Sequence, residues 1–418
     1  TPDSRPPAFG GITSSMESVD TAPPLVATAR PASGMALPRL RSGTIVPLLV
    51  FAATCITVGI LWDISWHVTI GRDSFWTPAH MAIYLGGTLG GVLAGGLVLQ
   101  STFWHRDVCQ GESVGILGLR APLGAWVTAW GAAAMLTSAP LDDWWHNAYG
   151  LDVKILSPPH ALLAAGMYGV VTGAVLLAAA ARNRGTSALG TTTAPSRTWV
   201  VLAMGIQLTL ASVLLTEVSF PNLQHTGTFF LASAILYPAF LTAAARYAPA
   251  PGAATRIALV YLGLAGAMVW ILPLFPAEPK LAPVYHRVTH MTPPAFPLML
   301  VAPALAMDAL YHFTRSHSGR AMVLLRIVGA AVLFVAVFVP VQWYFAEFLV
   351  SPAADNSFFA GHGRFLGYMA RRTEWRELFW RVDRDPVTAL VLGKMLLITL
   401  GSCAMGHTVG AWFQRVRR

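Results

Sequence analysis

Two stretches of this sequence place a carboxylate, a histidine four residues on, and a second histidine beyond a short loop. In the first, LWDISWHVTIGRDSFWTPAHMAIYLGG, these are Asp63, His67 and His80. In the second, LDDWWHNAYGLDVKILSPPHALLAAG, they are Asp142, His146 and His160. A spacing of four puts the carboxylate and the first imidazole on one face of a helix end. Thr77-Pro78 and Ser157-Pro158 then read as helix starts, with a hydroxyl at the N-cap and proline in the first turn, so each second histidine sits in that turn. A carboxylate and two imidazoles converging from a helix hairpin form a donor set suited to a first-row transition metal. Such a set leaves coordination positions open for water, O2 or substrate.

The elements that must hold these residues are membrane helices. Of the 418 residues, 55% are hydrophobic and 11% charged, against roughly 25% charged in a soluble domain. Ten apolar runs near the length needed to cross a hydrocarbon core are expected at 44–62, 78–100, 121–140, 158–181, 198–217, 226–245, 257–275, 293–313, 322–345 and 387–412. The expected fold is all-α, a polytopic transmembrane helical bundle of about ten helices with a repeated helix-hairpin metal-binding unit. Residues 1–43, rich in Pro, Ala, Ser and Thr, read as a disordered cytoplasmic tail, and the first helix as an uncleaved anchor. The rest divides into a four-helix region carrying both hairpins (44–185), a five-helix extension (186–345), an outer segment (346–386), and a last helix with a basic C-terminus (387–418). Within the outer segment, FLGYMARRTEWRELFWRV reads as an interfacial helix.

The net charge of +9 reflects orientation rather than nucleic-acid binding. Arg5, Arg30, Arg39 and Arg41, the even-numbered loops and the C-terminal Arg415, Arg417 and Arg418 carry most of the arginines. The first four odd-numbered loops hold Arg72, Lys154, Lys280 and Arg287. This asymmetry puts both termini in the cytoplasm and both Asp/His/His sets toward the outer face; the membrane expected is a bacterial inner membrane. Trp62, Trp66, Trp76, Trp144 and Trp145 would lie in the outer aromatic belt. Cys55, Cys109 and Cys403 are too scattered for a disulfide framework or a cysteine metal cluster.

The first hairpin resembles the C subunit of the copper-dependent membrane monooxygenases, the particulate methane and ammonia monooxygenases. The shared string is Asp63-x2-Trp66-His67-x-Thr69-Ile70-x-Arg72-Asp73, then Thr77-Pro78-x-His80. The resemblance implies that Asp63, His67 and His80 form a catalytic copper site. Trp144, His146, Pro158 and His160 are similar to the family's neighbouring site, where Asp142 replaces the usual Asn and makes this chain's version more anionic. The likeness covers roughly residues 45–185. It implies one or two copper ions, ahead of zinc or iron, and oxidation of methane, a short hydrocarbon or ammonia. It further implies companion integral membrane subunits, a copper-domain subunit and a quinol reductant.

Other readings compete. Each Asp/His/His set could tie its hairpin together by hydrogen bonds, although ionisable groups near a membrane are costly and usually functional. The chain could be a non-catalytic metal-binding or structural subunit of a larger respiratory or photosynthetic membrane complex. A transporter fits less well, because the ionisable residues gather at one face rather than the midplane. A degenerate third hairpin is expected where Thr292-Pro293-Pro294 repeats the cap, with His286 and His290 upstream. Glu217, Asn222 and His225 give a weaker cluster, and Asp308 and Lys394 are candidates to pair with each other.

Overall fold

Long runs of Leu, Val, Ile, Ala and Phe, broken only at short polar turns, satisfy their backbone groups internally by forming helices, as a hydrocarbon environment requires. A computed structural model describes residues 42–71, 74–104, 113–150, 157–189, 194–247, 252–280, 288–360 and 385–417. Ten α-helices are present among them: α1 (Ser42–Thr69), α2 (Pro78–Leu99), α3 (Leu123–Tyr149), α4 (Pro158–Leu189), α5 (Ala194–Ser212), α6 (Gly227–Tyr247), α7 (Ala253–Ile271), α8 (Val301–Thr314), α9 (Arg320–Leu349) and α10 (Ala389–Phe413). Eight are long and apolar enough to cross a membrane. The remaining two are α3, diluted by Gly, Ala, Trp and Thr, and α8, with only 14 residues. The chain is an all-α integral membrane protein. The residues expected as an N-terminal tail up to position 41, together with Arg72, Asp73, Cys109, Lys154, His286, Arg287 and the proposed interfacial helix at 365–382, lie outside the described residues.

Small residues decide how the first four helices meet. A methyl group added at Gly131 of α3 would come within 2.5 Å of the Val170 backbone nitrogen of α4 and 2.7 Å of the Gly166 carbonyl oxygen. On the same seam, one added at Gly124 would reach 2.7 Å from the Gly173 oxygen. In the α1–α2 pair, one added at Gly59 would meet Ile83 Cγ1 at 2.6 Å, and one at Gly86 the Ala52 oxygen at 2.5 Å. Lipid offers no hydrophobic drive between helices, so such backbone-close packing is a main source of helix association. The pairs run antiparallel. Gly87 and Gly91 of α2 face Met135 and Ala132 of α3, again antiparallel, so the Asp63 end of α1 and the Asp142 end of α3 lie at the same end of the bundle.

At the opposite end, α2 continues into a π-helical turn (Gln100–Trp104), and a two-stranded hairpin precedes α3. Its strands are β1 (Val114–Ile116) and β2 (Leu119–Ala121). Leu117 (φ 51°) and Gly118 (φ 80°) form its turn, as a two-residue loop with both central φ values positive requires. The Thr102 hydroxyl anchors it, accepting from the Arg120 N–H at 2.9 Å.

Two expectations are corrected. Helix α8 begins at Val301 rather than 293, and residues 293–300 run without helix. Pro293, Pro294 and Pro297 remove three N–H donors, and each disfavours helix in the residue before it. Thr292-Pro293-Pro294 is therefore not a third helix cap. Leu298 N–H instead donates to the Tyr261 hydroxyl at 3.0 Å and Met299 N–H to Gln342 Oε1 at 2.9 Å. Nor does Asp308 pair with Lys394, which is exposed. Asp308 caps the start of α7, accepting from Ala254 N–H (3.1 Å), Thr255 N–H (2.7 Å) and the Thr255 hydroxyl (2.7 Å). A helix start carries partial positive charge and unsatisfied donors, so it suits a buried carboxylate.

Gly131→Ala should lower the midpoint of thermal unfolding in detergent, by an overpacking cost of about 1–3 kcal/mol. Gly95→Ala, where an added methyl meets nothing within 4 Å, should leave the midpoint unchanged or raise it through helix propensity. Equal midpoints for the two variants would show that the α3–α4 seam does not govern packing.

Candidate metal centre

Helix α1 carries Asp63 and His67 one turn apart, and two residues beyond its end the chain turns away at Gly71 with φ 77°. Helix α3 carries Asp142 and His146 one turn apart, ending in Gly150 with φ 85°. The spacing Asp-x3-His-x3-Gly is thus the same in both. Glycine takes the left-handed conformation that stops a helix without a Cβ penalty. Each chain then returns through a capped start: the His80 N–H points at the Thr77 hydroxyl at 3.4 Å and the His160 N–H at the Ser157 hydroxyl at 3.5 Å, both long bonds.

The second histidines come back to the carboxylates. Asp63 Oδ2 lies 3.7 Å from His67 Nε2, and Asp63 Oδ1 3.2 Å from His80 Nε2. The second hairpin repeats this, with Asp142 Oδ2 3.4 Å from His146 Nε2 and Asp142 Oδ1 3.6 Å from His160 Nε2. Each aspartate therefore bridges two imidazoles through different oxygens. Both expected triplets are brought together by the fold.

The ring nitrogens on the far side carry further information. His80 Nδ1 is 3.0 Å from the Ser74 carbonyl oxygen, and His146 Nδ1 is 3.2 Å from the Gly150 carbonyl oxygen. A carbonyl can only accept, so each Nδ1 bears the proton, an assignment made from the partner's chemistry. In the neutral ring, Nε2 then turns its lone pair toward a carboxylate oxygen. Asp63 Oδ1 and Asp142 Oδ1 are both buried, and neither accepts a hydrogen bond among the described residues. Lone pair facing carboxylate is unfavourable unless positive charge lies between them, as a second ring proton or a cation. A histidine whose outer N–H is held by a backbone carbonyl is also the usual orientation of a metal ligand. N and O donors sharing one first-row ion sit about 3–3.5 Å apart. The 3.2 and 3.4 Å separations match this and the 3.6 and 3.7 Å ones are slightly long. Among the described residues no group of three or more His, Cys, Asp or Glu side chains is placed so that it could hold a metal ion as it stands.

The sites differ in enclosure. The Asp63 side chain is 14% exposed and that of Asp142 34%. A strap from the second half of the chain supports the first site. Thr69 Oγ1 accepts from the Thr292 N–H at 2.8 Å and donates to the Ser65 carbonyl at 2.6 Å, while the Ser65 hydroxyl donates to the Thr292 carbonyl. The Ile70 carbonyl accepts from Lys280 N–H at 3.0 Å. Phe275 stacks on Trp62 at 6.3 Å, and Leu61, Ile70, Met268, Leu272, Ala277 and Met291 form one buried apolar cluster beneath. The strap closes on itself through Ala277 N–H to the Thr289 carbonyl (3.0 Å) and Met291 N–H to the Phe275 carbonyl (3.0 Å). The second site is flanked by Trp145 and Tyr149, with ring centres 4.5 Å apart.

Sequence reasoning missed the strap, the Ser65–Thr69–Thr292 clamp and the two carbonyls that orient the imidazoles. Ser65 and Thr69, spaced one turn apart between the ligand candidates, were a visible signal. The matched glycines at 71 and 150 were another. The weaker expectations fare differently: His290 belongs to the strap, bridged to Pro276 and bonded to the Thr289 hydroxyl at 3.0 Å. Glu217 is exposed, whereas His225 is buried with its ring edge-on to Trp343 at 4.4 Å.

The chain matches no family model, no curated protein and no solved structure. The geometry of the two hairpins therefore carries the functional argument.

Thr69→Val keeps the shape and removes the hydroxyl that receives the Thr292 N–H, leaving that buried donor unpaired at a cost of about 1–3 kcal/mol. Hydrogen exchange across residues 288–292 should accelerate. Unchanged exchange there would mean that α1 does not hold the strap.

Proposed function

We propose that this protein is a copper-binding membrane protein of the oxygen-activating class, with Asp63, His67 and His80 as its principal ligands. The observation that carries the reading is the carboxylate of Asp63, enclosed at one end of the bundle with each oxygen turned to a histidine Nε2. In one of the two rings, Nδ1 is committed to a backbone carbonyl. Imidazole and carboxylate donors accept several divalent ions, and among them affinity is greatest for copper. Asp142, His146 and His160 form a second candidate with the same donor set, its carboxylate more exposed than Asp63 but its first histidine less exposed than His67.

Copper held at the first site would supply redox-active Lewis-acid chemistry toward O2. The residues of this chain fix the rest. Gly71 stops α1 so that His67 lies on its last turn, and Thr77 starts α2 so that His80 faces back. The Ser74 carbonyl fixes the His80 ring, so that its Nε2 faces the carboxylate. Trp62, next to Asp63 in the chain, stacks on Phe275, and such apolar surface is the kind an uncharged small substrate uses. By resemblance, that substrate is methane, a short hydrocarbon or ammonia, the reductant a quinol, and the working unit a complex with other membrane subunits and a copper-domain subunit. In that frame the metal-bearing end faces the outer side of a bacterial inner membrane, with both termini cytoplasmic.

Metal analysis of the full chain purified from membranes without chelator tests the site. One or two copper ions per chain are expected. Asp63→Ala and His80→Ala should each lose about one ion, while Asp142→Ala should leave the first in place. Copper bound equally by wild type and by Asp63→Ala would sink the assignment. Incorporation of labelled O2 into a small hydrocarbon or ammonia by the membrane-bound complex tests the chemistry. Copper retention without incorporation would assign the chain a structural metal role instead.

A further inference from the structure

The end of the bundle opposite the Asp/His pairs holds a second built feature. Arg246 at the last turn of α6, Arg326 in the second turn of α9 and Arg415 just beyond α10 come from three separate elements. Contacts bring these elements together: the Arg326 guanidinium lies 5.9 Å from the Tyr311 ring, the Tyr311 hydroxyl is 2.9 Å from His407 Nδ1 of α10, and Gln414, beside Arg415, is bonded to the Arg246 carbonyl. None of the three arginines makes an ion pair with Asp or Glu among the described residues. Asp308, the acidic residue of nearby α8, is committed to the start of α7.

The arginines are positioned, not merely scattered along a basic surface. Arg326 is locked by three bonds, Nε to the Thr314 hydroxyl (3.0 Å) and Nη2 to the Thr314 (2.6 Å) and His317 (3.0 Å) carbonyls, none of which uses Nη1. Gly410 of α10 makes room for the Arg246 stem, since a methyl at that position would stand 2.8 Å from Arg246 Cβ and 3.1 Å from its Cγ. The Arg246 Nε is buried with no hydrogen-bond partner among the described residues. The Gln414 amide, bonded to the Arg246 carbonyl at 2.8 Å, ties the segment carrying Arg415 to α6. Like charges gathered in this way repel, and a buried guanidinium N–H without an acceptor is costly. A group bearing negative charge and several acceptor oxygens relieves both, and phosphate matches the guanidinium fork.

We infer that Arg246, Arg326 and Arg415 form a binding site for an anionic phosphate group at the membrane surface opposite the metal-bearing end. The setting at the ends of membrane-crossing helices points to a phospholipid headgroup, since basic pockets between such helices take anionic lipid. Free phosphate shares the chemistry and is separated from lipid by experiment. This inference is independent of the metal reading.

The test uses the full chain, purified in uncharged detergent and stripped of lipid. It is titrated with phosphatidylglycerol in mixed micelles, with phosphatidylcholine as the zwitterionic comparison, and separately with inorganic phosphate. Lipid retained per chain is read by native mass spectrometry, and the thermal midpoint is followed in parallel. Phosphatidylglycerol should bind saturably and more tightly than phosphatidylcholine, with affinity falling about fivefold for each arginine removed in Arg246→Gln and Arg415→Gln. Arg415 is exposed, so its variant reports on binding even where Arg246→Gln fails to fold. Inorganic phosphate that raises the midpoint of wild type but not of Arg415→Gln would support the site with free phosphate as its source. Equal binding of the two lipids, or phosphatidylglycerol binding unchanged in Arg415→Gln, would overturn it.

Discussion

Backbone-to-backbone approach between glycine-bearing helix faces sets the position of everything at the Asp/His end. The Gly59/Ile83 and Gly86/Ala52 contacts fix the axial offset of α1 against α2. That offset is what lets His80, three residues into α2, stand level with Asp63, which lies well inside α1. Gly124, Gly131, Gly166 and Gly173 do the same for α3 and α4. A larger side chain on either seam would separate the axes and carry one histidine away from its carboxylate. The seam and the site are therefore one constraint, written in residues that share no chemistry.

Duplicate hairpins with unequal enclosure follow from what surrounds them. The two share helix stops, caps and carboxylate bridging, so their local geometry is a property of the hairpin itself. Asp63 is nevertheless the more enclosed carboxylate, and its hairpin is where a strap from the second half of the chain sits, bonded to Ser65, Thr69 and Ile70. Enclosure strengthens electrostatic interactions and limits the geometries open to the side chains. Identical side-chain sets in different surroundings therefore need not behave alike.

Much of this was legible in the sequence. Nine of the ten helices fall close to the apolar runs that predict them, because in lipid a continuous apolar run has little choice but to be helical, and the eighth fills only the later part of its run. The Asp-x3-His spacing and the Thr-Pro and Ser-Pro caps reported local geometry that depends on neighbours within one turn. What escaped was non-local or proline-driven. Residues 293–300 are apolar enough for a span, yet Pro293, Pro294 and Pro297 deny them helix, and partners 37 and 43 residues away receive the freed N–H groups of Leu298 and Met299. Asp308 read as a partner for Lys394 because its true partner, the start of α7, is a backbone feature without a residue type of its own. The β1–β2 hairpin is too short to show a period.

The strap has an architectural meaning. Ser65 and Thr69 spend hydrogen bonds on Thr292, the Ile70 carbonyl on Lys280, and Trp62 its ring face on Phe275. The first four helices are consequently not a self-sufficient module, although both Asp/His/His sets lie within them. Cut free after α4, they would present an unsatisfied, apolar flank beside the first site. A shorter protein built on the same hairpins would need a separate chain in that place, so what a neighbouring subunit could supply in trans is here supplied in cis.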